Sequence, residues 1–352
     1  MVEPEMDATT PSPSATDTPT DEVELDLLIV GAGPVGLYGA YYAGVRGLSV
    51  GLVDSLSEVG GQVTAMYPEK QIYDVAGFPV ISGRDLVQAL FEQAAPQRPT
   101  YLLDQEARAL EPTGDGRFLV ATSTGTRVRC GAVVITGGIG TFTPRPLPAG
   151  EEFLGRGLAY FVPNSHEYVG KDVVVVGGGD SAVDWCLMLE PLASSVTLVH
   201  RRDKFRAHAS SLDKVRASSA KIIVNAQVTA LEGGDLLEKA EITVTGQEPQ
   251  VLPCQKVVAA LGFTANIGPL REWGLELHDR RHLVVDSAMR TNVPGVFAAG
   301  DIVDYDGKIR LISVGFGEVA TAVNNAAVHI DPEAHLFPGH SSDEPHDAPP
   351  PA

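Results

Sequence analysis

Cysteine is scarce in this sequence. The 352 residues include three, Cys130, Cys186 and Cys254, which lie far from one another and form no C-x-x-C pair. Their spacing excludes a redox dithiol motif and a zinc ribbon, and we predict no metal site. Each lies within or beside an apolar segment, so we expect all three thiols to pack in the core.

Long apolar runs and basic residues are also few. No uninterrupted apolar stretch approaches the roughly 20 residues that span a bilayer, and the N-terminus has no basic start followed by an apolar run. We therefore expect a cytoplasmic protein that neither enters a membrane nor carries a secretory signal. With 26 Lys and Arg against 45 Asp and Glu, the net charge of −19 argues against nucleic acid as a partner.

The acidic residues concentrate at the two ends of the chain. Residues 1–26 and 331–352 contain no Lys or Arg and many Asp and Glu, so they carry most of the net charge. Both ends are also rich in Pro, Ser and Thr, a composition that buries too little apolar surface to offset the entropy of ordering. The sequence predicts a disordered acidic tail over residues 1–24 and a second tail over residues 331–352.

Glycine, in contrast, is abundant, and one cluster follows an apolar strand near the N-terminus. Residues 27–30 read Leu-Leu-Ile-Val and lead into a turn with Gly31, Gly33 and Gly36, after which a helix and a second apolar run end at Asp54. The amides at the start of such a helix can receive a pyrophosphate, and the acid after the second strand accepts hydrogen bonds from ribose hydroxyls.

A second cluster repeats this order at residues 173–200. Four valines lead into Gly177 and Gly179, Ala182 holds the third small position, and the next strand ends at His200, before Arg201 and Arg202. The arginine pair suits the 2′-phosphate of NADP rather than a free ribose. One site for an unphosphorylated dinucleotide and one for NADP in the same chain imply electrons moving between two cofactors.

Strands and helices alternate around both clusters, which predicts an α/β protein with right-handed parallel sheets. We expect further strands at 116–122, 127–135, 222–228, 240–245, 256–260 and 295–299, and a helix over 318–328. The proline-rich residues 143–148 read as a connector. The simplest division places an NADP-binding domain, residues 146–278, as an insertion in an FAD-binding domain made of residues 25–142 and 281–330.

With these motifs in place, the chain resembles the thioredoxin-reductase-like flavoproteins, and most closely their ferredoxin (flavodoxin)–NADP⁺ reductase branch. The motifs that carry the resemblance are Gly60-Gly61-Gln62, Tyr67-Pro68-Glu69-Lys70, residues 72–79, Gly177–Ala182, His200-Arg201-Arg202-Asp203, Gly300-Asp301 and residues 321–326. Thioredoxin reductases place a C-x-x-C dithiol shortly before the second glycine turn. Residues 160–164 of this chain contain no cysteine, which excludes thioredoxin reduction by the usual route.

The resemblance implies two Rossmann-like domains and assigns residues to each cofactor. FAD is implied to lie along the first glycine turn with its ribose on Asp54, and NADP along the second turn with its 2′-phosphate on Arg201 and Arg202. Further positions that match FAD contacts of the family are Gln62, Tyr67, Ala107, Phe142, Asp301 and Thr321. Tyr67 and His340 match the aromatic residues that stack on the two faces of the flavin.

The activity implied by the resemblance is transfer of a hydride from NADPH to FAD and then of single electrons to ferredoxin or flavodoxin, by a homodimer. This chemistry needs no acid or base from the protein. Two alternatives remain open: an NADPH oxidase or quinone diaphorase, and a flavin redox sensor without turnover. Cations between Arg201 and Lys221, with Lys70 and Arg84, are expected to form a positive face for an acidic partner.

Overall fold

The computed structural model describes residues 22–340. Its helices are α1 (Pro34–Val45), α2 (Gly61–Met66), α3 (Gly83–Ala94), α4 (Asp180–Leu189), α5 (Ala209–Ala217) and α6 (Ile312–Ile330), and short 3₁₀ turns lie at Ala95–Gln97, Glu151–Phe153, Ser165–Tyr168 and Gly268–Glu272. The strands are β1 (Glu22–Val30), β2 (Val50–Val53), β3 (Gln71–Ile72), β4 (Ile81–Ser82), β5 (Thr100–Leu102), β6 (Ala107–Pro112), β7 (Phe118–Thr122), β8 (Arg127–Ile135), β9 (Thr141–Pro144), β10 (Leu158–Ala159), β11 (Asp172–Val176), β12 (Ser195–His200), β13 (Lys221–Val224), β14 (Ala226–Gly233), β15 (Leu237–Val244), β16 (Gln250–Pro253), β17 (Lys256–Ala259), β18 (Phe263–Asn266), β19 (Leu277–His278), β20 (His282–Val284), β21 (Val296–Ala298) and β22 (Val303–Asp304).

The first sheet is built around the strand that precedes the first glycine turn. Its strand order is β5-β2-β1-β8-β7-β6, and β21 pairs with β8. Strands β5, β2, β1, β8 and β21 run parallel, whereas β7 is antiparallel to both β8 and β6. Leu27, Leu28 and Ile29 of β1 are fully buried because helices α1, α3 and α6 pack in the same core.

The second sheet is wholly parallel, in the order β10-β17-β11-β12-β13. The alternation of side chains along β11 explains its burial on both faces. Val173 and Val175 pack with helices α4 and α5, while Val174 and Val176 pack with the antiparallel sheet β14-β15-β16. A continuous valine run is what a parallel strand covered on both faces requires.

We call the first sheet with its helices α1, α2, α3 and α6 the first unit, and the second sheet with α4, α5 and β14–β16 the second unit. The chain leaves the first sheet after β8 and returns to it at β21, after the second unit. Strand β9 pairs with β18 where the chain passes between the units. This order supports the inserted arrangement, and the exact boundaries of the two domains stay a prediction.

Several local predictions were wrong. Strand β1 begins at Glu22, so the predicted tail 1–24 overlaps it; Glu22 and Glu24 pair in register with Arg127 and Arg129, whose charges offset theirs. Residues 1–21 and 341–352 lie outside the described residues. The connector 143–148 overlaps β9, whose backbone bonds to β18 despite Pro144.

Two other predicted elements differ in extent. The single strand expected at 222–228 is divided into β13 and β14 at Asn225, which has a φ of 52° that a regular strand does not accept. Helix α6 begins at Ile312, six residues before the expected start, because Ile312, Gly315 and Phe316 continue its apolar face. Within residues 22–340 no helix is long and apolar enough to cross a membrane.

The three cysteines are buried and unpaired with one another, as predicted. Burial raises the pKa of Cys130, Cys186 and Cys254 to about 12 in each case. All three therefore remain neutral thiols near pH 7 and act as small apolar side chains.

Candidate dinucleotide sites

The first glycine turn joins β1 to α1, and its glycines have different roles. Gly31 has a φ of 115°, and a Cβ there would lie 2.7 Å from the Thr136 carbonyl oxygen. Gly33 caps α1 with open space where a Cβ would be, so a ligand can approach the backbone closely. A Cβ on Gly36 would lie 1.9 Å from the Gly31 carbonyl oxygen, so this glycine permits close packing of helix and turn. These roles match those of the dinucleotide-binding turn.

Asp54 follows β2, and its carboxylate is held by the first glycine turn. Oδ2 accepts a hydrogen bond from the Ala32 amide at 2.7 Å, and Oδ1 accepts one from the Leu56 amide at 2.9 Å. Burial raises the pKa of Asp54, although these amide bonds act in the opposite direction. Each oxygen keeps a second lone pair, so the carboxylate is oriented and can still accept a bond from a ribose hydroxyl.

A cleft runs along the carboxyl ends of the parallel strands of the first sheet. It brings together seven of the residues predicted to contact FAD: Gly31, Gly33, Asp54, Gln62, Tyr67, Ala107 and Asp301. Sequence reasoning missed other lining residues: Gln105, Glu106, Thr136, Gly137, Gly138, Ile267, Leu270 and Ile312. Thr136 and the two glycines directly follow β8, and the rule that ligands bind beyond the carboxyl ends of strands could have identified them.

The Gly60-Gly61-Gln62 segment closes on the first glycine turn. The Gly60 amide donates to the Ala32 carbonyl at 2.8 Å, and a Cβ on Gly61 would lie 3.1 Å from the Gly33 Cα. The Gln62 side chain reaches across the cleft, with its Nε2 2.6 Å from the place where a Cβ on Gly138 would be. Small residues on both sides are what allow this approach.

Tyr67 lies in the cleft where the two units meet. Its ring packs against the core of the first unit and also against the core beneath α4. Burial, and secondarily the carboxylates of Asp301 and Asp74, raise the pKa of Tyr67 to about 12. The phenol therefore stays neutral, offers an aromatic face and does not serve as a base.

Two of the predicted FAD contacts, Gly36 and Thr321, are not among the residues that line the cleft. Gly36 is buried within the packing of α1. Thr321 lies in the third turn of α6, where its hydroxyl donates to the Gly317 carbonyl at 2.9 Å. The backbone of Phe142 pairs with Ala265 in β18, and its side chain lies outside the described part of the chain. His340, the second predicted stacking residue, is exposed with its ring centroid 5.1 Å from that of Phe337 and is not among the cleft residues.

The second glycine turn joins β11 to α4. A Cβ on Gly177 would lie 2.5 Å from the Ala260 carbonyl oxygen and 2.8 Å from the Cβ of Ala182, which is fully buried. Gly179 caps α4 with no atom near the place of its missing Cβ. The second turn thus repeats the division of roles found in the first, with one glycine for close packing and one for open approach.

His200 covers this turn from the end of β12. A Cβ on Gly178 would lie 2.1 Å from the imidazole ring, which also packs on Phe205 at 4.8 Å between centroids. The Arg206 amide donates to the Gly178 carbonyl at 2.8 Å, so residues 201–206 fold over the turn. Burial lowers the pKa of His200, and the nearby arginines lower it further. The imidazole is therefore neutral near pH 7.

The predicted 2′-phosphate residues lie in this folded segment. Arg201, Arg202, Lys204 and Arg206 are exposed, and none forms an ion pair with another residue in the range 22–340. Cations left without carboxylate partners beside a helix N-terminus are suited to a phosphate. Across residues 22–340, no group of three His, Cys, Asp or Glu is placed to hold a metal ion.

Comparison with protein families finds one model that covers most of the chain. The pyridine nucleotide-disulphide oxidoreductase model matches residues 25–326. A ferredoxin–NADP reductase of Salinispora tropica is 63% identical over 321 residues, which is 91% of this chain and 99% of that protein. A ferredoxin–NADP reductase of Symbiobacterium thermophilum is 49% identical over 327 residues, covering 91% of this chain and 97% of that protein.

Two solved structures similar to this fold are thioredoxin reductases. The T. acidophilum enzyme has a TM-score of 0.72 at 28% identity, over 86% of this chain and 98% of that one. The Lactococcus lactis enzyme has a TM-score of 0.71 at 25% identity, over 87% of this chain and 99% of that one. The expected thioredoxin-reductase-like α/β fold is confirmed.

Proposed function

This chain belongs to the pyridine nucleotide-disulphide oxidoreductase family, and we propose that it is a ferredoxin–NADP⁺ reductase that uses FAD. It transfers electrons between NADPH and ferredoxin or flavodoxin. The sequence resemblance to ferredoxin–NADP⁺ reductases is confirmed by relatives named ferredoxin–NADP reductase, which align along about nine-tenths of the chain.

The observation that carries the proposal is the contrast between the two glycine turns. The strand after the first turn is followed by Asp54, a carboxylate oriented by two amides. The strand after the second turn is followed by Arg201 and Arg202, which form no ion pair among residues 22–340. A carboxylate accepts from ribose hydroxyls and would repel a 2′-phosphate, whereas the arginines would bind one. Two sites of opposite charge therefore accommodate FAD and NADP(H) respectively.

The first unit fits FAD. The open position at Gly33 permits a pyrophosphate to approach the start of α1, and Asp54 is placed for the adenosine ribose. Gln62, Tyr67, Ala107 and Asp301 line the continuation of the cleft. When bound, FAD accepts a hydride and releases electrons singly, which no side chain of this protein can do.

The protein's own contribution is to bind and orient FAD and to exclude water from the cleft. Tyr67, a neutral phenol, supplies an apolar face at the junction of the units, and we propose that it contacts the flavin. His340 remains a proposal for the opposite face. No residue is assigned as an acid or base. The sequence also lacks the dithiol of thioredoxin reductases, and its three thiols are buried and neutral.

The second unit fits NADP(H). We propose that Gly177, Gly179 and Ala182 shape the turn for a pyrophosphate, and that Arg201 and Arg202 bind the 2′-phosphate. Phe142 and Thr321 stay proposals as FAD contacts, because the side chain of Phe142 lies outside the described part of the chain and Thr321 is not among the described cleft residues.

For the remaining properties we propose a cytoplasmic homodimer with the NADP-binding domain inserted in the FAD-binding domain.

The expected positive face for an acidic partner is smaller than the sequence indicated. Lys70 is paired with Asp184 and Arg84 with Glu69, both at 2.6 Å, so their charges are offset. The cations between Arg201 and Arg206 remain, and we propose that they attract ferredoxin or flavodoxin electrostatically.

The proposal is tested by electron transfer to a carrier. The protein loaded with FAD is mixed with NADPH, and reduction of cytochrome c is followed with and without ferredoxins from the same organism. We expect ferredoxin to increase the rate strongly and NADH to support little activity. Equal or faster turnover with oxygen or quinones alone would favour an oxidase or diaphorase. Failure of NADPH to bleach the flavin within seconds under anaerobic conditions would favour a sensor.

A further inference from the structure

A buried ion pair lies behind the cleft of the first unit, outside the residues assigned above. Glu318, on the second turn of α6, is 5% exposed, and the side chain of Lys308 is 2% exposed. Their Nζ and Oε1 atoms are 2.5 Å apart. Burying two charges carries a large desolvation cost, so such a pair is weak evidence for added stability and calls for another role.

The other bonds of Glu318 connect this pair to the cleft. Oε1 also accepts from the Tyr305 hydroxyl at 2.6 Å, and Oε2 accepts from the Gly300 amide at 2.8 Å. Gly300 ends the strand segment that precedes Asp301, and both residues line the cleft. One carboxylate therefore fixes α6, the 305–308 segment and the Gly300–Asp301 turn relative to one another.

Packing leaves this turn little freedom to find another position. Gly300 has a φ of 86°, and a Cβ there would lie 3.3 Å from the Val35 side chain at the start of α1. A Cβ on Gly315 would lie 3.4 Å from the Gly300 Cα and 2.5 Å from Val35. The turn is enclosed by α1 and α6, and the Glu318 carboxylate supplies the hydrogen-bond acceptor for its amide.

The pair also acts on the charge of the cleft. Asp301 is mostly buried, which raises its pKa, while Lys308 lowers that pKa and Glu318 raises it. Asp301 in turn contributes to the raised pKa of Tyr67, so the two residues are close. Lys308 thus contacts the Glu318 carboxylate and also offsets the charge of Asp301, as Arg310 does, at the end of the cleft that carries Tyr67.

We propose that Glu318 and Lys308 are positioning residues for the flavin: they hold the Gly300–Asp301 turn in place and set the charge that bound FAD experiences. The inference rests on the proposed function, because it assumes that FAD occupies this cleft. It assigns to these two residues an influence on the reduction potential of FAD that acts through Asp301 and its turn.

The test is the midpoint potential of bound FAD, measured against redox dyes of known potential. Reduction adds negative charge to the flavin. Glu318→Gln removes a negative charge and leaves Lys308, so we expect a higher potential. Lys308→Met removes the positive charge and leaves two carboxylates, so we expect a lower potential. Shifts of opposite sign support the proposal. Loss of stability alone would not produce them, so unchanged potentials or shifts of the same sign overturn it.

FAD affinity provides a second readout that does not depend on turnover. Apoprotein is titrated with FAD and flavin fluorescence quenching is followed; we expect Glu318→Gln to weaken binding about tenfold or more. Should both charge variants fail to fold, Tyr305→Phe removes only one hydrogen bond to Glu318, and we expect about threefold weaker binding. Unchanged affinity in the variants that fold overturns the positioning role.

The matched control is Glu167→Gln. Glu167 pairs with Lys256 at 3.1 Å on the surface of the second unit, so the same substitution there should leave the FAD potential unchanged. The wild-type protein separates this inference from the proposed function. If wild-type protein binds no FAD, both fail. If it binds FAD that NADPH reduces, while the variants keep the wild-type potential and affinity, only the positioning role fails.

Discussion

Lys70 Nζ lies 2.6 Å from Asp184 Oδ2, and this ion pair joins the two nucleotide-binding units. Lys70 follows Tyr67 in the loop between α2 and β3, whereas Asp184 lies on α4, one turn after the second glycine turn. Tyr67 itself packs against the cores of both units. Hydride transfer requires the nicotinamide to reach the flavin, so any contact that fixes the orientation of the units affects that approach.

Lys70→Met should loosen this junction without unfolding either unit. The two side chains are 45% and 31% exposed, so the free energy of unfolding should fall by no more than about 1 kcal/mol. We expect faster limited proteolysis between residues 145 and 150, in the segment that leads into the second unit. Arg84→Met is the control, because Arg84 pairs with Glu69 at the same distance within the first unit. Equal proteolysis of both variants would show that Lys70 does not restrain the junction.

Asp54→Ala should weaken FAD binding by about 1.5–3 kcal/mol, the range for a hydrogen bond to a charged group. The substitution removes the ribose acceptor and also leaves the Ala32 and Leu56 amides without their carboxylate partner. Asp54→Asn separates the two effects, since its carboxamide oxygen can still accept one of these bonds. FAD titration of the apoproteins measures both. Wild-type affinity in Asp54→Ala would place the ribose elsewhere.

Replacing Arg201 and Arg202 with Ala should raise KM for NADPH and leave KM for NADH nearly unchanged. The physical reason is loss of the charge-assisted bonds to the 2′-phosphate, which NADH does not have. Steady-state rates with both nucleotides test this. Lys214→Ala, an exposed cation of the neighbouring helix α5, serves as the control. A double variant that kept the wild-type preference would assign the phosphate to other residues.

Acidification should destabilise the protein partly through His200. Its pKa is lowered by burial, so the unfolded chain binds more protons than the native one once the pH falls below the ordinary value of 6.5. The contribution is present above that pH and is lost as the pH falls through the native pKa. Denaturant unfolding at about pH 7.5 and pH 5.5 should therefore show a smaller acid loss for His200→Gln than for wild type. His166→Gln, which removes an exposed imidazole, is the control.

Removing residues 1–21 should increase the association rate with an acidic ferredoxin at low salt. This segment contributes five carboxylates and no Lys or Arg, and the deletion leaves β1 intact because that strand begins at Glu22. The difference should shrink at about 0.15 M salt, where the Debye length is about 8 Å. Stopped-flow mixing measures the rates. Identical rates for both forms at low ionic strength would mean that the acidic segment has no effect on docking.

Sequence reasoning recovered the parts of the site that follow from local chain geometry. A strand, a glycine turn and a helix are contiguous, so Gly31, Gly33 and Asp54 could be placed without knowledge of the rest of the fold. The family resemblance implied Asp301, and the structure places Gly300 and Asp301 beside the cleft because β21 runs parallel to β8 and ends at the same sheet edge as β1.

Other features depend on contacts between distant residues and gave no local signal. Thr321 lies on α6, the helix whose first residue borders the cleft. Ile312, at the start of α6, lines the cleft, whereas Thr321 is not among the described cleft residues. The ion pair of Lys70 could not be anticipated from charge spacing, because its partner Asp184 lies 114 positions away in the other unit. The partner of Arg84 is Glu69, 15 positions away, and this spacing gives no local signal either. The Lys308–Glu318 pair reads in sequence as two ordinary surface charges, and only the packing of α6 shows that both are buried.

The burial of Cys130, Cys186 and Cys254 has a consequence for chemical durability. Reduced flavins exposed to air generate hydrogen peroxide, and peroxide converts accessible thiolates to sulfenic acid and then to irreversible sulfinic and sulfonic acids. Thiols whose pKa is raised to about 12 supply almost no thiolate, and the core denies peroxide access to them. The chain can therefore handle electrons beside oxygen without a cysteine thiol among residues 22–340 that peroxide can readily oxidise.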